Sequence, residues 1–227
     1  MSTNRPSSRK IYELLIRAGI RLEAHNKTVC TAIMMMYRLL QRNIAREICN
    51  YTLATTSLVL AVKHEEDNTI GIRDVVNVIH RILHPNDVPL KIDTQLWEIR
   101  RGIAKLEFVV LRELDFDLYF EHPFKAMCMY LDQLRSWMPT EFNAHPVTES
   151  CFTVLRDCYV APEFILDHSA ESMAIVVISV VLKGMDISVP HCKEWYKVLH
   201  KTITESKLRR LEGDLLRVVY EINLRDR

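Results

Sequence analysis

Apolar positions recur along this chain at the spacing of helices, almost without a break. Ile11, Leu14, Leu15, Ala18 and Leu22 share one helical face near the N-terminus. The pattern predicts a second helix over 28–42, with Thr28 as a candidate N-cap, and a third over 51–65. Gly71 interrupts, and a fourth helix follows from Ile72 to about Leu83. The turn-forming run His84-Pro85-Asn86-Asp87-Val88-Pro89 stops it. Asp93 or Thr94 then caps a fifth helix that runs to about Leu114.

The stretch 116–123 alternates like a short strand, but its length and Pro123 favour an extended linker. Five more helical segments are predicted over 123–137, 146–160, 167–183, 191–200 and 204–220, punctuated by Pro139, Pro146, Pro162 and Pro190. Residues 173–182 are β-branched enough for a strand. Their flanks extend the segment to helix length, so a helix is expected. Each half has one helix apolar on most sides, Leu53 to Val62 and Met173 to Leu182, as a buried central helix requires. The expected fold is all-α, with two tandem five-helix units at 9–117 and 118–222. A flexible N-terminus (1–8) and a short tail (223–227) flank them.

Composition narrows the function classes. The chain has 227 residues, 48% hydrophobic and 26% charged, with a formal net charge of +1. That is globular composition without the positive field of a nucleic-acid binder. Five glycines starve any phosphate-cradling loop. The six cysteines (Cys30, Cys49, Cys128, Cys151, Cys158 and Cys192) form no C-x-x-C and no zinc spacing, so reduced structural thiols are expected. No apolar h-region precedes the first helix. The longest apolar run falls short of the ~20 residues that span a bilayer. The expectation is an intracellular protein, nuclear or cytoplasmic, without membrane contact.

Enzyme motifs do not appear. There is no G-x-G-x-x-G, P-loop, H-E-x-x-H or G-x-S-x-G. His64-Glu65-Glu66 starts like a zincin helix, but Asn68 stands where the second histidine belongs. No catalytic residue, cofactor or metal is expected.

Two segments carry a family resemblance. Leu53 to Glu66 sets small residues and leucines on a helix that ends in a Lys/Glu cluster. Ala104 to Asp117 is an apolar-faced helix with Glu107 between Leu106 and Phe108. Together with the two five-helix units they resemble the cyclin fold, and so two tandem cyclin boxes. Gly71-Ile72-Arg73-Asp74-Val75-Val76-Asn77-Val78, Ile79 to Pro85 and Glu121-His122-Pro123 resemble the transcription-type cyclins. Leu96-Trp97-Glu98-Ile99-Arg100 and Leu155-Arg156-Asp157-Cys158-Tyr159 look most like the Q branch, also called M.

The resemblance implies a non-catalytic subunit that binds a cyclin-dependent kinase as a heterodimer and holds its C-helix in the active position. For the Q branch it implies cyclin-dependent kinase 10. It also implies that Lys63 matches the box lysine and Glu107 the box glutamate, the two kinase-binding residues. Spacing alone reads Lys63 as a solvated lysine favoured by the helix dipole, and pairs Glu107 with Lys105, Arg112 or Lys10. Glu65, Glu66 and Asp67 read as a solvated charge cluster. Lys63→Glu or Glu107→Ala is expected to weaken kinase binding without unfolding, and a charge at Val177 to unfold the second unit. The Met-Arg-Ala-Ile-Leu substrate patch of cell-cycle cyclins is missing from the first helix. The alternative is a TFIIB-like cyclin-fold scaffold in transcription without kinase activation, which needs a basic face for DNA.

Overall fold

The central helix of the first half shows why this sequence folds as it does. Leu53, Ala54, Leu58 and Ala61 are fully buried around helix α4 (Asn50–His64). Its three buried hydroxyls are satisfied within the helix. Thr55 donates to the Tyr51 carbonyl at 2.8 Å, Thr56 to Thr52 at 2.9 Å and Ser57 to Leu53 at 2.9 Å. Such back-bonding lets polar residues sit in a core without a partner from another helix. Truncating Leu58 to Ala costs about 2–5 kcal/mol at a site of this kind.

The structure is a computed structural model that describes residues 7–88, 90, 93–190 and 194–221. The expected tail (223–227), most of the expected N-terminal lead, Cys192 and the start of the helix expected over 191–200 lie outside the described residues. Among those described, the chain is all-α with no strand, as the periodicity predicts. It divides into two compact units, Met1–Phe120 and Glu121–Arg227.

In the first unit α4 is packed by α1 (Ser8–Leu22), α2 (Asn26–Leu40), α5 (Ile72–Leu83) and α6 (Thr94–Glu113). A short α3 (Ile44–Glu47), too brief for periodicity to reveal, precedes it. Gly19 lets α1 and α2 close up: a Cβ there would lie 2.2 Å from Cγ2 of Val29. Asp93 caps α6, its carboxylate accepting from the N–H groups of Gln95 and Leu96. The cap expected at Thr28 is a correction. His25 is the N-cap of α2, and Thr28 sits inside its first turn.

The second unit surrounds α11 (Ala170–Gly184) with α7 (Phe124–Trp137), α9 (Val147–Cys158) and α13 (Glu205–Tyr220). Short helices α8 (Pro139–Ala144), α10 (Pro162–Leu166) and α12 (Trp195–Leu199) complete it. The β-branched stretch is helical. Ser169 caps α11 by accepting from the Ser172 N–H, and Met173 through Ile178 are all fully buried. Val177 is 0% exposed. Residues 117–122 carry no regular secondary structure.

Candidate functional site

Lys63 and Glu107 are brought together. Lys63 is the penultimate residue of α4, and Glu107 lies on α6. The lysine Nζ donates to both carboxylate oxygens, at 2.8 Å to Oε1 and 2.7 Å to Oε2. The pair is lopsided: the Lys63 side chain is 58% exposed and that of Glu107 only 12%. Glu107 is therefore a sunken carboxylate and Lys63 its cover at the rim. None of the cations suggested by sequence spacing holds Glu107.

This contact changes what single variants mean. Lys63→Glu would press two carboxylates together at a half-buried position, and Glu107→Ala would release the lysine. Either variant is therefore expected to cost some stability as well. The clean variant removes both groups, because an apolar pair of similar shape is near neutral where a lone buried charge is not.

The acids after α4 also correct a sequence expectation. Asp67 is 2% exposed, not solvated. Its Oδ2 accepts from the His25 backbone N–H at 2.9 Å and from the Thr28 hydroxyl at 3.0 Å. Glu65 accepts from the Thr31 hydroxyl at 2.7 Å and pairs with Lys27 at 2.6 Å. The reason lies in α2, whose first turn carries no acid. Its unpaired N–H groups and positive dipole end draw acids from the α4 turn. Burial works to raise the Glu65 carboxyl, but the bonds from Lys27 and Thr31 prevail and hold it below its ordinary value. Only Glu66 of the three is exposed, with φ 55°. The C-terminal turn of α4 is thus tied at both ends, and Lys63 is fixed with it.

The residue after Glu107 and two residues beyond the end of α6 are exposed aromatics. Phe108 is 74% exposed, Phe116 67% and Tyr119 75%. Ala104, Glu107, Phe108 and Leu111 follow helical spacing along one strip of α6. Sequence reading attended to the acid and passed over Phe108. The available signal was an aromatic where the opposite face already supplied the core. Two open grooves among the described residues, of about 320 and 380 Å³, flank α5, and neither is lined by Lys63 or Glu107. Lys63, the sunken Glu107 and the exposed Phe108 thus lie at the solvent boundary of the unit.

A second lysine–glutamate pair, unsuspected from sequence, occupies the second unit. Lys183 Nζ lies 2.6 Å from Glu212 Oε2, joining α11 to α13. The Ser179 hydroxyl donates to Oε1 of the same carboxylate at 2.5 Å. Among the described residues no group of three or more His, Cys, Asp or Glu side chains is placed to hold a metal ion. No described helix is long and apolar enough to cross a membrane.

In each of two all-helical units a lysine at the end of the central helix is tied to a glutamate on the last long helix. A family model, "Cyclin, N-terminal domain", matches residues 2–119, just over half of the sequence. The chain belongs to the cyclin family. It is 28% identical to mouse cyclin-L2 over 200 residues, covering 85% of this chain and 37% of that protein. It is 29% identical to chicken cyclin-L1, covering 85% and 36%. Against mouse cyclin-T1 it is 24% identical over 211 residues, 91% of this chain and 28% of the relative. The similar proteins are thus transcription-type cyclins, and the chain spans between 28% and 37% of their length. In backbone it resembles a chain of the yeast RNA Pol II CTD kinase CTDK-1 complex, with TM-score 0.63 and 18% identity. That likeness covers 96% of this chain and 66% of the other.

Proposed function

We propose that this chain is the non-catalytic subunit of a cyclin-dependent protein kinase, and that it activates the kinase by holding its C-helix in the active position. The observation that carries the reading is the Lys63–Glu107 pair at the rim of the first unit, beside the exposed Phe108. Membership of the cyclin family and a kinase complex among the backbone neighbours support it. The Q-branch resemblance of the sequence makes cyclin-dependent kinase 10 the partner of choice.

The physical logic is population shift. A kinase needs its β3 lysine paired with a C-helix glutamate before it holds ATP productively. A partner that binds only the helix-in state moves the equilibrium toward it. Turning a mostly-out helix into a mostly-in one takes ~5.5 kcal/mol of differential affinity. Phe108 and its apolar neighbours supply desolvated area. Lys63, with two hydrogens spent on Glu107 and one left over, sets register against backbone carbonyls of the partner. Anchors of this kind carry most of an interface's energy.

The test is co-expression with a panel of cyclin-dependent kinases, then a kinase assay on each captured complex. Capture of cyclin-dependent kinase 10, with activity that depends on this chain, is the expected result. Folded chain that captures no kinase would sink the reading.

A further inference from the structure

Helix α5 separates two open grooves. At helical spacing Asn77 and Arg81 form one strip of it and Val76, Ile79 and Leu83 another, with His80 and His84 as the ridge between them. The first groove, of about 320 Å³, takes the polar strip together with Arg21 near the end of α1. The second, of about 380 Å³, takes the apolar strip together with Ile99 and Ile103 of α6 and Tyr51 of α4. His80 and Leu90 line both, so the two grooves adjoin.

Three features of these grooves have no counterpart within the protein. Arg21 and Arg81 meet no carboxylate among the described residues. Arg81 gives one N–H to the Asp87 carbonyl at 3.4 Å, and the Asp87 carboxylate lies against His84 instead. The Asn77 Oδ1 is buried and accepts no hydrogen bond, a loss that a bound donor would remove. Gly102 lines the second groove from the interior of a 20-residue helix, where a Cβ would meet nothing within 4 Å. Glycine is a poor helix former. What its missing side chain supplies here is room in the groove.

We propose that the adjoining grooves take an extended peptide of a partner protein, with a carboxylate for Arg21 and Arg81 and an aliphatic side chain for the apolar groove beside Gly102. The chemistry of the occupant follows from the walls. Two unanswered guanidinium groups call for an acid. A buried carbonyl oxygen calls for a donor, and an extended backbone keeps its N–H groups free to serve. A cleft walled by valine, isoleucine and leucine gains most from an aliphatic side chain. The inference stands apart from the kinase reading, because Lys63, Glu107 and Phe108 line neither groove.

The experiment titrates the full chain into short fluorescent peptides. Each carries an Asp-Asp pair and a Leu, roughly one to four residues apart in either order, on a Gly/Ser background. At least one spacing should bind saturably. Arg21→Glu/Arg81→Glu, checked for fold by circular dichroism, should weaken that binding roughly tenfold or more and flatten its salt dependence. Gly102→Leu plugs the apolar groove and should also weaken binding roughly tenfold. Its thermal midpoint should hold or rise, because leucine is the better helix former, so that loss of binding is not loss of fold. No saturable binding by the wild type at any spacing overturns the proposal, and so does equal affinity in the wild type and Gly102→Leu. A wild-type chain that self-associates and becomes monomeric on Gly102→Leu also overturns it and makes the groove a contact between copies.

Discussion

The two units carry the same polar tie in different surroundings. Lys63 and Lys183 are each the penultimate residue of a 15-residue central helix. The turns that follow repeat bond for bond. Glu65 N–H donates to the Ala61 carbonyl, Glu66 to Lys63 and Asp67 to Val62; Met185 donates to Val181, Asp186 to Lys183 and Ile187 to Leu182. Glu66 and Asp186 both take positive φ, 55° and 57°. Each lysine reaches a sunken glutamate on the last long helix of its unit. The neighbours differ. The residue after Glu107 is the exposed Phe108, whereas the residue after Glu212 is Gly213, where a Cβ would meet nothing within 4 Å. Glu107 gives both oxygens to Lys63, but Glu212 shares its own between Lys183 and Ser179. The shared tie is a way to lock a central helix to its neighbour. An exposed aromatic follows the first tie, whereas a glycine follows the second.

The sharpest way to break the comparison uses the eighth residue of each central helix, Ser57 and Val177. Both are 0% exposed. Ser57 satisfies its hydroxyl on the Leu53 carbonyl. A carboxylate at 177 has no such outlet, so Val177→Asp should unfold the second unit, costing several kcal/mol. Val177→Ser should cost much less, by copying the back-bond of Ser57. Equal thermal midpoints for Val177→Asp and wild type would contradict the burial of α11.

Next in size are the lysines. Lys63→Met strands Glu107 and should cost about 1–3 kcal/mol in urea unfolding. Lys183→Met leaves Glu212 its bond from Ser179, and the loss should stay near ~1 kcal/mol. Kinase affinity should drop for the first and hold for the second. Affinity that falls equally in both would make the second tie a docking site too.

Phe108→Ala should weaken kinase binding by ~2 kcal/mol while moving stability by less than ~0.5 kcal/mol, because the ring is exposed. A variant that unfolds more readily but binds as before would reverse the role given to Phe108.

The smallest effect concerns acid. Glu65 is held below its ordinary carboxyl value, so its contribution is present above that value. It is lost as pH falls through the lowered folded value. Glu65→Gln should therefore be less stable than wild type at neutral pH, by an amount that shrinks in acid. A gap that widens in acid would contradict the sign.

The sequence carried the long helices well, because their apolar spacing is imposed by the core they build. Gly71 and Asp93 mark the starts of α5 and α6 as local chemistry predicts. Helices α3, α8 and α10 are only four to six residues long and lack a full repeat. Asp67 looked solvated because its partners, His25 and Thr28, are some forty residues away, and no local rule links a loop acid to a distant helix start. The family resemblance singled out Lys63 and Glu107 but not their pairing, since nothing in a spacing of 44 residues declares a contact. Lys183–Glu212 went unseen for the same reason. The repeat is one of backbone turns and one ion pair, not of sequence.

The central claim, that the Lys63–Glu107 rim docks a kinase, is tested most directly by one comparison. The activity of cyclin-dependent kinase 10 is measured after co-expression with the wild-type chain and with Lys63→Met/Glu107→Leu, whose unfolding midpoint checks its fold. The account predicts an active complex with the wild type and at least a roughly tenfold loss with the folded double variant. Equal activation by the two chains would contradict it.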